Sequence, residues 1–297
     1  MDEQVMLTTR FEQNRPRLRA IAYRMLGSAS EADDAVQETW LRLNRTETSA
    51  DTSTKAEIEN VEGWLTTVVS RVCLNILRAR ESRREDLQEE HSPEVRGGVD
   101  PEEEAMLADS VGLAMLVVLD ALNPAERIAF VLHDMFAVPF DDIAPMIDRT
   151  PTAVRQLASR ARRRVQGTTT VPMADLVRQR RVVDAFLAAS RGGDFEALLA
   201  LLDPDVVLHA DPAVGPTPAP IVLQGIRRVA KGALLASERV RSTRPALIDG
   251  SVGLVMAPRG RLQLVLTFTI TEGRITGIDV IAEPERLREL ELAVLED

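Results

Sequence analysis

Residues that would indicate a secreted, membrane or metal-binding protein are scarce in this 297-residue chain. The single cysteine, Cys73, can form no internal disulfide, which fits a reducing compartment. The longest apolar run, Val111 to Leu119, is too short to span a bilayer, and the acidic start shows no signal peptide. The histidines show no metal-ligand spacing. We therefore expect a soluble, cytoplasmic protein without a metal or a cofactor.

Aromatic residues are also few, and the chain carries no net positive charge. Only 3% of the residues are aromatic although 45% are hydrophobic, a composition that suits small helical bundles. The formal net charge of −10 argues against a protein that coats nucleic acid indiscriminately, so any DNA contact must come from local basic islands. The length is sufficient for two or three domains.

The clearest basic island is a helix that begins after Thr150. Thr150 can act as the N-cap and Pro151 occupies the first helical position. No acidic residue between Thr150 and Gly167 offsets its five arginines. The apolar residues that recur at helical spacing are Val154, Leu157, Ala158, Ala161 and Val165.

A short helix over Phe140 to Ile147 and the turn Asp148 to Thr150 precede this basic helix, which is the order of a helix-turn-helix. The major groove of DNA admits one α-helix, where Arg and Gln reach base edges and further Arg residues contact phosphates. The alternative is that the arginines only complement the helix dipole and keep the surface soluble. The preceding helix and turn favour DNA binding.

Three amphipathic helices are predicted upstream. The first, Phe11 to Leu26, ends at Gly27, and the second, Glu31 to Leu43, has an acidic face. A polar loop over Thr46 to Glu59 leads to the third helix, Val61 to Arg84. That helix carries the other basic island, made of Arg71, Arg78, Arg80, Arg83 and Arg84.

The region between these helices and the helix-turn-helix begins with an acidic stretch over Glu85 to Glu104 that lacks apolar periodicity and reads as a flexible linker. A helix over Ala105 to Leu122 follows, and another starts at Asn123-Pro124.

The pattern changes after Gly167, where strands mix with helices. Helices are predicted over 176–190, 194–202 and 224–239, and a strand over 206–209. Strand-like runs over 245–249, 252–257, 261–271 and 274–282 follow, with turns at Pro258-Arg259-Gly260 and Glu272-Gly273. These features predict an antiparallel meander with helices packed on one face and a final helix after Pro284.

The first 167 residues resemble an extracytoplasmic-function sigma factor. FEQNRPRLRAIAYRMLGSASEADDAVQETWLRL with VEGWLTTVVSRVCLNILR is similar to its σ2 domain, and LNPAERIAFVLHDMF with FDDIAPMIDRTPTAVRQLASRARRRV is similar to its σ4 domain. The resemblance implies a multidomain fold, an all-α σ2 bundle and a σ4 helix-turn-helix followed by an α+β domain. The implied boundaries are 1–86 for σ2, 87–104 for the linker, 105–167 for σ4 and 168–297 for the tail.

The resemblance also implies partners, namely promoter DNA and the RNA polymerase core through its β′ clamp helices and β flap. The acidic helix would dock on the clamp helices, and the loop over 46–59 would capture a base flipped from the minus-ten element. The implied polymerase-binding residues are Asp33, Asp34, Gln37, Glu38 and Trp40. The implied minus-ten contacts are Arg71, Asn75 and Arg78, and the implied minus-thirty-five contacts are Thr152, Arg155, Gln156, Ser159, Arg160, Arg162 and Arg163.

The tail resembles a SnoaL-like domain of the NTF2 superfamily, a cone-shaped fold that in some sigma factors tunes activity in cis. Two short motifs bear on this comparison: Asp211-Pro212-Ala213-Val214 replaces the Asp-Gly-Gly-Gly loop of that subgroup, and the segment 283–287 is similar to its terminal Asn-Pro-Asp-Lys-Leu. The resemblance admits a small-molecule ligand in a pocket near His209, Asp211 and Asp279. Two other readings stay open, a stand-alone helix-turn-helix regulator and an enzyme whose chemistry lies in the tail, although we expect no catalysis.

Overall fold

The computed structural model describes residues 3–48, 60–86, 112–167, 172–215, 219–237, 243–258 and 262–295. They divide into two compact units, one from the described part of 1–111 together with 122–162, the other from 112–121 together with the described part of 163–297. Most of the predicted loop over 46–59, the acidic linker over 87–104 and most of the turn over 258–260 lie outside the described residues. The four domain boundaries inferred from the sequence stay a prediction.

In the described residues the first unit contains helices and no strand, and the second unit contains both helices and strands. In chain order the helices are α1 (Glu3–Leu26), α2 (Ala29–Thr48), α3 (Val61–Asp86), α4 (Leu113–Asp120), α5 (Pro124–Phe130), α6 (Phe140–Ile143), α7 (Pro151–Gln166), α8 (Met173–Gly192), α9 (Phe195–Leu201), α10 (Ile226–Leu235) and α11 (Pro284–Glu289). A π-helical turn over Val131–Met135 follows α5, and a 3-10 turn over Ala144–Met146 follows α6.

Helices α1 to α3 pack against one another as the sequence predicts. Leu18, Ile21 and Met25 of α1 are fully buried, and Gly27 ends the helix with a left-handed φ of 70°. Helix α2 continues to Thr48, so the predicted loop at 46–59 starts too early. The reason is that the sequence from Asn44 to Thr48 contains neither glycine nor proline to stop the helix.

The helix-turn-helix is confirmed in the first unit. Asn123 caps α5 by accepting a hydrogen bond from the Glu126 amide over 2.9 Å. The Thr150 hydroxyl oxygen accepts a hydrogen bond from the Ala153 amide over 3.2 Å, so it caps α7 as expected. Val154, Leu157, Ala158, Ala161 and Val165 of α7 are all buried, which confirms the predicted apolar face.

A mixed sheet forms the centre of the second unit. Its strands are β1 (Leu202–Ala210), β2 (Ile221–Gln224), β3 (Thr243–Ile248), β4 (Ser251–Met256), β5 (Leu264–Thr271), β6 (Arg274–Ile281) and β7 (Leu292–Ala293). Within the described residues their order is β2-β1-β6-β5-β4-β3-β7. The meander from β3 to β6 is antiparallel as predicted, and Asp249-Gly250 and Glu272-Gly273 make its tight turns with positive φ at both residues.

Three expectations for this unit are wrong in detail. Strand β1 pairs with β6 in parallel, so the sheet is not purely antiparallel. The helix predicted from Gln224 starts at Ile226, because residues 221–224 pair with β1 as an edge strand. Helices also do not lie on one face alone: α8, α9 and α10 cover a core of aliphatic side chains on one face. Apolar residues of α4 and α11 pack against a second cluster on the sheet, which includes Val255 and Val265.

Candidate nucleic-acid interface

The solvent-facing side of α7 is a polar ridge without an acidic residue. Successive turns place its members in one line, because residues three and four apart lie on the same side of a helix. An α-helix with such a face has the dimensions and the hydrogen-bonding groups that the major groove accepts. The exposed residues at the centre of this ridge are Thr152, Gln156, Ser159 and Arg163.

Two arginines on the flanks of the ridge are held by carboxylates from preceding elements. Arg160 Nε lies 3.3 Å from Oε1 of Glu126, whose side chain is only 5% exposed. Arg162 meets Asp134 with two nitrogens, Nε to Oδ1 over 2.5 Å and Nη2 to Oδ2 over 3.4 Å. The sequence offers no acidic residue within α7 to offset its arginines, and these two carboxylates come from segments that precede α7 in the chain. The Asn-x-x-Glu capping pattern that places Glu126 at the start of α5 was the available signal.

A third arginine of α7 is held by an aromatic ring. The Arg155 guanidinium carbon lies 5.3 Å from the centre of the Phe140 ring, a cation–π distance. The Phe140 ring is in turn stacked on His133, with centroids 3.7 Å apart and planes inclined by 25°. His133 Nδ1 donates a hydrogen bond to the Val138 carbonyl oxygen over 3.0 Å. Sequence reasoning missed both rings as parts of the site.

The predicted minus-ten contacts share one exposed face of α3. Arg71, Asn75 and Arg78 follow one another at spacings of four and three residues and are all exposed. Arg71 donates a hydrogen bond to the Pro145 carbonyl oxygen over 2.9 Å. Arg80, from the same predicted basic island, instead bonds to the Leu26 carbonyl over 3.0 Å and pairs with Glu31, so it stabilises the bundle.

The predicted polymerase-binding residues lie along α2 in three different environments. Asp33 is bonded to Arg19 over 2.7 and 3.2 Å, and Glu38 is bonded to Arg42 over 2.9 Å. Trp40 is half-buried, with its ring 4.8 Å from that of Phe11, as expected for a packing residue. Asp34 and Gln37 are exposed.

An apolar residue extends the exposed side of α2. Leu41 lies four residues after Gln37 and is 41% exposed, a high value for a leucine. Sequence reasoning missed it, and the available signal was that Leu41 falls one position outside the buried stripe of α2. Asp34, Gln37 and Leu41 therefore form a continuous patch of one acid, one amide and one apolar side chain.

The tail residues predicted to lie near a pocket are His209, Asp211 and Asp279. His209 and Asp279 are register neighbours on β1 and β6. Their chain neighbours Ala210, Ile278 and Val280 belong to the core under α8 to α10. Because side chains alternate along a strand, His209 and Asp279 lie on the other face of the sheet. The face of the sheet under α8 to α10 carries apolar side chains, including Phe186 and Phe268 with ring centroids 5.3 Å apart.

Asp211 has a structural environment. Its Oδ2 accepts hydrogen bonds from the Ala282 and Glu283 amides over 2.9 and 3.1 Å, and its Oδ1 pairs with Arg286. Burial acts to raise the pKa of Asp211, but the two amides and the Arg286 charge outweigh it and hold the pKa below its ordinary value. Asp211 thus fastens the segment that starts α11 to the end of β1, joining the two short motifs of the tail that the sequence singled out.

In the part of the chain that the structure describes, no cluster of three or more His, Cys, Asp or Glu residues is arranged to hold a metal ion. No described helix combines the length and the apolar character needed to cross a bilayer.

Comparisons with known proteins agree with this geometry. Sigma-70 region 2 matches residues 10–83 and Sigma-70, region 4 matches residues 113–165. The probable ECF RNA polymerase sigma factor SigI of Mycobacterium tuberculosis H37Rv is 34% identical over 272 residues, which cover 90% of this chain and 90% of SigI. The ECF RNA polymerase sigma factor SigJ of the same strain is 34% identical over 304 residues, which cover 95% of this chain and 93% of SigJ.

Two solved structures are also similar. The crystal structure of M. tuberculosis SigJ aligns with 94% of this chain and 98% of its own, at 30% identity and a TM-score of 0.45. An NTF2-like protein from Cytophaga hutchinsonii aligns with 37% of this chain and 95% of its own, at 16% identity and a TM-score of 0.25.

A helix-turn-helix with a basic exposed ridge, preceded by a helical bundle with an acidic face, defines a DNA-binding transcription protein. The chain belongs to the extracytoplasmic-function family of RNA polymerase sigma factors. As a sigma factor it binds the RNA polymerase core and promoter DNA and directs transcription initiation. Sigma factors are not enzymes, which confirms the expectation that the chain catalyses no reaction.

Proposed function

We propose that this sigma factor selects promoters through α7 and α3 and that its C-terminal domain regulates this activity in cis. Helix α7 reads the minus-thirty-five element in the major groove. Thr152, Arg155, Gln156 and Ser159 contact base edges. Arg163 contacts the phosphates. Arg160 and Arg162 contact DNA from the flanks, where Glu126 and Asp134 already orient them.

Helix α3 contacts the minus-ten element through Arg71, Asn75 and Arg78. Their spacing of four and three residues presents two charges and an amide along about two helical turns, which suits a strand of phosphates and bases. In the free protein Arg71 is engaged by the Pro145 carbonyl. Contact with DNA at Arg71 therefore requires that this hydrogen bond be exchanged for one to the promoter.

The polymerase contact uses α2, whose acidic face docks on the β′ clamp helices, while the helix-turn-helix region contacts the β flap. Within this face, Asp34, Gln37 and Leu41 are the exposed members available to a partner. Asp33 and Glu38 already pair with arginines of the bundle, so they contribute charge to the surface more than new hydrogen bonds.

The observation that carries regulation in cis is the position of the two ends of the region 4 match, residues 113–165. Its first helix, α4, belongs to the second unit, where Val117 is 2% exposed and packs in a cluster with Ala246 and Ile248 of β3. At the other end, the Val294 amide donates a hydrogen bond over 2.9 Å to the Val165 carbonyl of α7. Both ends of region 4 are therefore fastened to segments of the C-terminal domain.

A ligand of the C-terminal domain stays a prediction. The side chains between the sheet and α8 to α10 are aliphatic and aromatic, so a ligand bound among them would be apolar.

Run-off transcription with core RNA polymerase tests regulation in cis. Genomic promoter fragments are transcribed with the full-length protein and with a truncation that ends at Gly167. We expect transcription that depends on the added protein and a different yield after truncation, whose direction gives the sign of the regulation. Equal yields from both proteins, with the truncated protein folded by circular dichroism, would reject regulation in cis.

A further inference from the structure

The arginines of α7 are held in two chemically different ways. Arg160 and Arg162 pair with carboxylates, which engage some of their N–H donors. Arg155 instead lies over the face of Phe140. A ring face restricts the movement of a planar guanidinium but accepts no hydrogen bond from the N–H groups that point outward in the guanidinium plane. Those N–H groups, which recognise a base edge, therefore stay available.

The segment that carries Phe140 is built to fix the ring. The π-helical turn over Val131–Met135 is followed by Ala137 with a φ of 56°, a left-handed conformation that a residue with a Cβ rarely adopts. The Ala137 amide bonds to the His133 carbonyl over 3.1 Å and the Val138 amide bonds to the Leu132 carbonyl over 2.9 Å. Such strain persists only where the surrounding contacts determine the backbone, and it is concentrated at functional sites.

The His133 ring supports the Phe140 ring. Its Nδ1 bond to the Val138 carbonyl closes the segment between the π-helical turn and α6, and this bond fixes the plane of the imidazole. The Phe140 ring then stacks on that plane with 3.7 Å between the centroids. The Phe140 ring thus contacts both the half-buried His133 imidazole and the guanidinium of the exposed Arg155.

We propose that Phe140, supported by His133, is a positioning residue that holds Arg155 ready to read one base of the upstream promoter element. Arg155 is the residue that touches the base, and Phe140 acts through it. Holding the guanidinium in place before binding reduces the side-chain freedom lost on contact with DNA, which sharpens discrimination at that base. The inference rests on the proposed role of α7.

The test uses full-length protein with core RNA polymerase and a promoter library in which the upstream element is randomised. Transcripts are sequenced to obtain the base preference at each randomised position. Arg155→Ala should abolish the preference at one position. Phe140→Leu should weaken the preference at that same position about threefold and leave the others unchanged, as expected for loss of an exposed cation–π contact. The double variant should match Arg155→Ala alone.

Two further variants distinguish positioning from general structural support. Phe140→Tyr keeps the ring and should restore the preference. Phe136→Leu is the matched control, because the Phe136 ring lies 5.2 Å from the guanidinium carbon of Arg24, which is outside α7. This control should leave every base preference unchanged. If Phe140→Leu unfolds, Phe140→Met fills a similar volume without a ring and takes its place.

The outcomes separate this inference from the proposed function. If Arg155→Ala flattens one position but loss of the Phe140 ring leaves it unchanged or weakens all positions equally, the positioning role is overturned and the reading by α7 stands. If Arg155→Ala changes no position although selection still depends on the protein, the assignment of Arg155 and the positioning role both fail.

Discussion

Arg71 donates a hydrogen bond over 2.9 Å to the main-chain carbonyl of Pro145, which links the proposed minus-ten face of α3 to the segment before α7. The bond is exposed and its acceptor is neutral, so it contributes little to the stability of the fold. We propose that Arg71 serves instead to contact promoter DNA.

Replacing Arg71 should therefore separate stability from activity. We expect Arg71→Ala to change the free energy of unfolding by less than about 1 kcal/mol, as for an ordinary exposed hydrogen bond. Transcription should fall on all promoters, because a phosphate or base contact is lost. Urea unfolding and run-off transcription measure the two effects, and Arg15→Ala on α1 is the control at another exposed arginine. Normal transcription by Arg71→Ala would remove Arg71 from the minus-ten face.

The exposed patch on α2 should be the part of the bundle that binds polymerase. Asp34→Lys reverses a charge that is exposed on this patch, and Leu41→Ala removes its exposed apolar side chain. Each should weaken binding to the polymerase core about tenfold or more, in the range of interface residues that cost above 1 kcal/mol. Binding is measured by titration of labelled protein, with the circular dichroism spectrum unchanged.

Glu81→Lys is the matched charge reversal for this surface, on an exposed position of α3. It should bind the core as the unaltered protein does. Equal losses for Glu81→Lys and Asp34→Lys would mean that net charge, and not this patch of α2, governs the association.

Asp211 should make the C-terminal domain sensitive to acid. Its pKa in the folded chain lies below the unfolded value of about 3.9, so the carboxylate stabilises the fold above that pH. This contribution is lost as the pH falls through the folded pKa. At pH 7 Asp211→Asn should lower the free energy of unfolding by about 2 kcal/mol, since bonds to a charged group are lost.

The difference between Asp211→Asn and the unaltered protein should shrink as the pH falls below about 4, because the unfolded chain then binds a proton at Asp211 more readily than the folded chain does. Chemical unfolding at a series of pH values measures it. Asp184→Asn, at an exposed position of α8, is the control for loss of a surface carboxylate, and it should change the free energy of unfolding by less than about 0.5 kcal/mol. A constant difference from pH 7 to pH 3 would contradict the role given to the Asp211 carboxylate.

Ala137 should be a site where glycine stabilises the protein. Its φ of 56° costs an L-residue about 1 kcal/mol relative to glycine, which adopts this conformation freely. Ala137→Gly should therefore raise the unfolding midpoint. Ala185→Gly, at an exposed position in the middle of α8, should instead lower the free energy of unfolding by about 1 kcal/mol, because glycine is unfavourable inside a helix. A lower midpoint for Ala137→Gly would show that the segment carries no such strain.

Cys73 offers a probe of unfolding. Burial raises the pKa of its thiol to about 12, so almost no thiolate forms at neutral pH. A thiol reagent should label the native chain only as fast as the bundle opens, while the chain in concentrated urea labels at once. Rapid labelling of the native protein would contradict the packed bundle of α1 to α3.

Local signals predicted more of this molecule than long-range ones. Thr150 and Pro151 marked the start of α7, and Glu272-Gly273 marked a hairpin, because caps and turns depend on neighbouring residues. The carboxylate partners of Arg160 and Arg162 come from distant positions in the chain, so no spacing within α7 revealed them. The parallel pairing of β1 with β6 is likewise non-local. Strand β2 has only four residues, too few for a clear alternating pattern.

The packing of α4 against the sheet could also not be predicted from the sequence. The apolar sequence of this helix predicts that it is buried, but it does not predict which element covers it. Val117 reads equally well as part of the helix-turn-helix region, and only the structure shows it beside Ala246 and Ile248. This contact is the observation from which we propose regulation in cis.

The most direct test of this account alters that contact from both sides and measures run-off transcription with core RNA polymerase. Val117→Asp and Ala246→Glu should each change the yield in the same direction as truncation at Gly167, and the double variant should match the single variants. Val222→Asp, at a 58% exposed position of β2, should transcribe as the unaltered protein does. Unaltered yields from folded Val117→Asp and Ala246→Glu proteins would contradict the claim that the C-terminal domain regulates this sigma factor through α4.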